Sequence, residues 1–210
     1  EIERQEIPSP SVESRLIEDH NTLGYARVFL FSSRTAKELI EAIQDLQEQG
    51  ATTLIVDLRG NGGGLLDAAI EVSSIFLDGG VVLYEVDNEG QEKAYRVKGG
   101  PSFEEIPLVL LVDGGTASAS VIVAGALQDR GRATLVGQKT YGKASVQQVF
   151  DLSDGSSVHI TSNKWLTPDR RRIDGQGLAP DHEIAITDED RDQGRDPQLE
   201  KAIETLLQAR

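Results

Sequence analysis

The chain has 210 residues, 38% of them hydrophobic and 27% charged, enough for one sizeable core or one domain with a small appendage. Its net charge of −14 argues against nucleic acid and anionic membrane surfaces, which select basic faces. The absence of cysteine excludes disulfides, thiolate catalysis and cysteine metal sites.

Residues 1–17, EIERQEIPSPSVESRLI, are polar with two prolines and read as a linker leading into a first strand. LGYARVFLF (23–31) is a strand candidate. SSRTAKELIEAIQDLQEQG (32–50) predicts a helix, with a Ser/Thr start, Leu39, Ile40, Ile43 and Leu46 at helical spacing, and a closing Gly50. TTLIVDL (52–58) predicts a buried strand, RGNGGG a glycine-rich turn, and LLDAAIEVSSIFLDGG a second helix. Residues 80–99 read as a hairpin. IPLVLLVDGG (106–115) predicts another buried strand, followed by GGTASAS and a helix to about Asp129.

A short strand is expected in RATLVGQKTYG. A second hairpin should turn at Asp154-Gly155, a pair that suits a type I′ turn. Asp188 to Asp196 reads as an acidic loop. From Pro197 a final helix should bury Leu199, Ile203, Leu206 and Leu207. Buried strand, glycine-rich turn and helix occur twice in that order, which is an α/β pattern. The start at Glu1 and the lack of methionine imply a processed or excised piece of a longer product. These 210 residues hold no signal-peptide pattern and no apolar run of about 18 residues, which leaves both open for the full-length product.

Two stretches hold candidate chemistry. DLRGNGGG (57–64) exposes backbone N–H groups between a strand and a helix, where an oxyanion can be held. Tight turning is the commoner use of such glycines. The spacing is not G-x-G-x-x-G, because Leu65 stands where the third glycine would fall, and no Gly-Lys-Ser/Thr follows for a Walker loop. In GGTASAS (114–120), Ser118 opens a helix, where the dipole is positive and the N–H of Ala119 points toward an oxygen bound beside it. The competing use of Thr116, Ser118 or Ser120 is helix capping.

A nucleophilic serine needs a base. His20 and His182 lie in polar stretches, and His159 lies in a hairpin strand. Lys143 is the better candidate, since Gly142 and Ala144 flank it and allow close approach. A lysine is a base only when neutral, and both burial and the N-terminus of a helix disfavour its charge.

DLRGNGGGLL, VDGGTASASVIVAGALQDRGRATLVGQKTYGKASVQ and LTPDRRRIDGQGLAPD, in this order, resemble the carboxyl-terminal processing peptidases, or tail-specific proteases, from about residue 7 to the C-terminus. The resemblance implies an α/β fold, a layered β-β-α core of the crotonase/Clp-protease type with an additional β-hairpin subdomain. The organisation would be a linker or strand over 1–22, a Ser/Lys peptidase core over 23–187, and an acidic loop and packing helix over 188–210. The implied nucleophile is Ser118 and the implied base Lys143, 25 residues on, with Gln147 orienting the lysine. Gly64 (or Gly63) and Ala119 would form the oxyanion hole, and Asp129 matches an acid linked to activity in some members. The implied mechanism is acyl-enzyme hydrolysis of unfolded or tail-exposed polypeptides near their C-termini, without metal or cofactor, in an extracytoplasmic compartment.

The chain also departs from that pattern. Val121, one helical turn past Ser118 and so expected near the site, stands where a glutamate is usual; Ala144 and Arg170 replace common glycines. Family members commonly carry a PDZ domain before the core. Residues before 20 leave no room for one, so an excised core is expected, with the PDZ domain in the full-length chain. Homo-oligomerisation stays open. Two other readings are a non-catalytic binding module of the same fold, as in retinoid-binding relatives, and an acyl-CoA enzyme of the crotonase type. The retained Ser118, Lys143 and Gln147 argue against the first. The lack of a basic cluster beyond Arg170–Arg172 argues against the second.

Overall fold

The computed structural model describes residues 10–143 and 145–208, with the backbone but not the side chains of 145–149 and 159–162. The strands are β1 (Val12–Ile17), β2 (His20–Val28), β3 (Thr53–Asp57), β4 (Val81–Val86), β5 (Glu92–Arg96), β6 (Leu108–Val112), β7 (Thr134–Gly137), β8 (Ser145–Asp151), β9 (Ser157–Leu166) and β10 (His182–Glu183). The helices are α1 (Thr35–Glu48), α2 (Leu66–Phe76), α3 (Ala119–Asp129), α4 (Asp188–Asp192) and α5 (Pro197–Gln208).

The fold is mixed α/β. Six strands form one sheet in the order β1-β2-β3-β6-β7-β10, parallel except for the antiparallel β1–β2 pair. Side-chain alternation along the central strands splits the core in two. Leu54, Val56, Leu108, Leu110, Val112 and Leu135 face the large cluster built with α1, α2 and α3. Leu23, Ile55, Val109, Leu111 and Val136 face the smaller cluster with Ala202 and Leu206 of α5. Both β3 and β6 are buried on both faces, as their unbroken apolar runs predicted. The two predicted hairpins join as a second, antiparallel sheet, β5-β4-β9-β8.

Four local expectations change. Part of the expected linker is edge strand β1, held antiparallel to β2 from Val12↔Val28 to Leu16↔Gly24. The second hairpin does not turn in two residues. A loop of 152–156 closes it: Leu152 N–H donates to Ser156 C=O at 2.8 Å, and Ser156 N–H and Oγ donate to the Asp154 carboxylate. Of the Asp-Gly pair only Gly155 has positive φ, whereas a type I′ turn needs both. The acidic stretch begins as helix α4, because Thr187 and Asp190 form a capping box. On α5, Leu207 is exposed, while Ala202 and Leu206 are buried and Leu199 and Ile203 pack partly.

Candidate active site

The strand-to-helix turn from β6 into α3 ends on Ser118, whose φ of 56° and ψ of −121° are rare for a residue with a Cβ. Such strain persists only where the surroundings over-determine it. Ser118 stands at the N-cap of α3 but makes no capping hydrogen bond with its side chain, so capping does not explain it. Ser120 instead is buried and donates its hydroxyl to Asn61 C=O at 2.7 Å or Ala117 C=O at 2.6 Å. The Ser118 C=O accepts the N–H groups of Val121 and Ile122, and its N–H donates to Lys143 C=O at 3.3 Å.

The glycine loop lies against this turn. A Cβ on Gly63 would stand 2.7 Å from Ser118 Cβ and 2.8 Å from Ala119 N, so only glycine lets the two loops meet. Gly64 forms a parallel bridge with Phe31: Phe31 N–H donates to Gly63 C=O at 3.0 Å, and Leu65 N–H to Phe31 C=O at 2.7 Å. That pattern turns the Gly64 N–H away from Phe31. The Gly63 N–H is occupied, donating to Asn61 Oδ1 at 2.8 Å. Among the described residues neither the Gly64 N–H nor the Ala119 N–H has an acceptor.

Several residues that the sequence did not single out fix this geometry. Asn61 is buried: its Nδ2 donates to Val28 C=O at 2.8 Å, and its C=O accepts the Ala117 N–H at 3.0 Å. Asp113 Oδ1 accepts from the N–H groups of Gly60 (2.9 Å), Gly115 (2.9 Å) and Thr116 (3.1 Å). Thr116 is buried, and its hydroxyl donates to Leu58 C=O at 2.9 Å. An Asp followed by two glycines is a turn signature in which the carboxylate binds the backbone ahead, and this was the readable signal.

Upstream of the loop, Arg59 grips Asp57 with Nε at 3.0 Å and Nη2 at 2.7 Å, Asp196 at 2.9 Å and Gln198 at 3.0 Å. Tyr25 OH donates to Asp57 Oδ2 at 2.6 Å. Burial works against the Arg59 charge, but its two carboxylate partners hold its pKa above the usual arginine value. Burial and the Asp57 charge likewise raise the Tyr25 phenol. The group ties the start of α5 to the exit of β3.

Lys143 sits on a segment clamped from two sides. Thr140 N–H donates to Leu178 C=O at 3.0 Å, and Leu178 N–H to Thr140 Oγ1 at 2.8 Å. Gly175 N–H donates to Gly142 C=O at 2.8 Å, and Tyr141 N–H to Thr116 C=O at 3.1 Å. Gly142 has φ of 86°, and a Cβ there would meet Gly177 N at 2.6 Å. The Lys143 backbone is thus bound to Ser118, while its side chain is exposed. Among the described residues no hydrogen bond joins Ser118 Oγ to Lys143 Nζ. Gln147 lies in β8 opposite Thr161, with its side chain outside the described residues, as is Ala144 altogether. The His159 side chain is also outside them; His20 and His182 are half-buried.

Two expectations are not brought to this site. Asp129 ends α3, 11 residues and roughly 16 Å along the helix from Ser118, where its carboxylate accepts the Asp169 N–H at 2.8 Å and pairs with Arg171. Val121, expected near the site, is 1% exposed and packed in the large core cluster. A buried position on an all-round apolar helix accepts a valine without a polar partner.

The sequence model of peptidase family S41 matches residues 22–184. Over 185 residues the chain is 41% identical to the carboxyl-terminal-processing protease of Synechocystis sp., covering 87% of this chain and 43% of that protein. It is 38% identical over 187 residues to the carboxy-terminal processing protease CtpA of Bacillus subtilis, covering 89% and 40%. Among solved structures, the photosystem II D1 C-terminal processing protease superposes with a TM-score of 0.76 at 35% identity, covering 87% of this chain and 50% of that one. The chain therefore spans less than half the length of these curated relatives.

Proposed function

The chain is a member of peptidase family S41, and from that premise we propose that it carries a serine peptidase site with Ser118 as nucleophile and Lys143 as general base. The observation that carries this reading is the strained Ser118 at the N-terminus of α3, flanked by two N–H groups, from Gly64 and Ala119, that have no acceptor among the described residues. A nucleophile on a strained strand-to-helix turn beside free N–H donors is how other hydrolases expose an attacking oxygen.

The Lys143 amine, in its neutral form, takes the proton of Ser118 Oγ as that oxygen bonds to a peptide carbonyl carbon. Gly64 and Ala119 N–H hold the oxyanion, which for one such donor is commonly worth about 3–4 kcal/mol. Collapse breaks the C–N bond, and the leaving amine takes the proton back from Lys143. Lys143 then deprotonates a water that attacks the acyl carbon, and as the C–Oγ bond breaks Lys143 returns the proton to Ser118 Oγ. Gln147 orients the lysine amine from β8. Asp129 acts only at a distance, by holding the 167–171 turn.

The substrates are polypeptides cut near their C-termini, as the relatives' names suggest, with tail selection by a PDZ domain elsewhere in the full-length protein. The compartment is extracytoplasmic, and the layered core is of the crotonase/Clp type. Incubating the chain with casein and with a fluorophosphonate probe tests the chemistry. Ser118→Ala should abolish cleavage and labelling, and Lys143→Ala should abolish cleavage. Normal cleavage by either variant overturns the assignment.

A further inference from the structure

Between the turn of the β4–β5 hairpin, β9 and the 172–176 loop lies a cavity of about 690 Å³, with an apolar lining of Val86, Trp165 and Leu166. It adjoins the segment that carries Lys143. Gly175, from its loop wall, donates to Gly142 C=O at 2.8 Å, and Lys164 stands in register with Ser145, the second residue after Lys143. Two residues of extended chain span about 7 Å, so the cavity lies within a few substrate residues of Ser118.

The hydrogen-bonding groups of the cavity are unevenly partnered. Its acids are engaged: Glu92 pairs with Arg170 at 3.0 Å, Asp87 accepts the N–H groups of Glu89 and Gln91, and Asp174 also has a partner. Its cations are not. Among the described residues, neither the Lys164 ammonium nor the Arg172 guanidinium has an ion-pair or hydrogen-bond partner. Trp165 Nε1, buried in the same wall, is a third donor without an acceptor among the described residues. A surplus of donors in a concave site calls for an acceptor-rich ligand, and a carboxylate offers two acceptor oxygens to charged donors.

We propose that this cavity is a carboxylate-binding subsite of the Ser118 site, with Lys164 and Arg172 as its recognising groups. The proposal rests on the peptidase reading above. The carboxylate is an Asp or Glu side chain of the substrate or its chain terminus, since the two present the same chemistry.

The test uses binding rather than turnover. The 210-residue chain with Ser118→Ala is titrated into three fluorescently labelled peptides of one sequence: uncharged with an amide terminus, the same with one Glu, and the same with a free C-terminal carboxylate. At least one carboxylate peptide should bind about ten-fold tighter than the neutral one, as expected for a charge-assisted pair. Which peptide gains identifies the source. Lys164→Gln with Arg172→Gln should erase the preference, and Lys37→Gln on α1 should not. Equal or undetectable binding of all three, or a preference that survives the double variant, overturns the proposal. Failure here leaves the cleavage test of the intact chain standing, and loss of that activity leaves this result readable.

Discussion

The Asp113 carboxylate accepts the N–H of Gly60 at 2.9 Å, tying the turn that carries Ser118 to the glycine loop that carries Gly64. Its other bonds, to Gly115 and Thr116, stay within its own turn. The distance between Ser118, the proposed nucleophile, and one of the two N–H groups that lack an acceptor among the described residues is therefore set partly by a side chain that touches neither. Asp113→Ala should lower kcat by about 10–100-fold with KM nearly unchanged, since a misplacement of about 1 Å near the chemistry has that order of effect. Asp113→Asn keeps an acceptor oxygen and should recover most of the loss. Steady-state kinetics on a peptide substrate checks both variants.

Gly63 and Gly64 should respond differently to the same added methyl. At Gly63 the Cβ would press on Ser118 Cβ and Ala119 N, which are parts of the proposed site. At Gly64 it would stand 2.2 Å from the Phe31 carbonyl oxygen, in the junction with β2. Both have positive φ, which costs a residue with a Cβ about 1–2 kcal/mol before any clash. Gly63→Ala should lose probe labelling at Ser118 with a modest fall in melting temperature. Gly64→Ala should show the larger thermal loss. Circular dichroism melts read beside fluorophosphonate labelling separate the two effects.

How much of this was legible beforehand follows from range. Strands β3 and β6 and helices α1, α2 and α3 were readable because apolar runs and helical spacing are local signals. The site residues emerged from glycine and serine clusters whose spacing matched a family. Asn61, Asp113 and Thr140 were not picked out, because their work depends on partners 33, 53 and 38 residues away. Nor could periodicity show that the polar run over 188–196 begins as a helix, since capping rather than an apolar stripe builds α4. Val121 misled for a simple reason. One turn from Ser118 is close in sequence, but at that angle the side chain enters the core.

Thr140 tests the clamp on the segment of Lys143, the proposed base. It is 5% exposed, and its hydroxyl accepts the Leu178 N–H at 2.8 Å. Thr140→Val keeps the shape but leaves that N–H without an acceptor, at a cost of about 1–3 kcal/mol. The Tyr141–Lys143 segment should then loosen, giving reduced kcat together with reduced stability. Thr140→Ser restores the oxygen and should restore both. Urea unfolding beside kinetics checks the coupling; a Val variant with wild-type stability and kcat would show that the clamp carries no function.

The junction of α5 with β3 should make the fold acid-sensitive through Asp196. Burial works against its charge, but the hydrogen bond and ion pair from Arg59 outweigh it, so its pKa is held below the usual aspartate value. A carboxylate whose folded pKa is depressed contributes stability above its unfolded value of about 3.9, and loses it as pH falls through the lower, folded value. The arginine stays charged throughout, so the pair is broken by protonation of the acid. Asp196→Asn should therefore be less stable than wild type at pH 7, and the gap between them should close as pH falls below about 4. Glu38 and Asp190 are also depressed, held by Ser11 and Thr187, so both proteins should still lose stability in acid. The difference between the two thermal unfolding curves across pH isolates Asp196. A gap that stays constant with pH would mean that Arg59 does not stabilise the Asp196 charge.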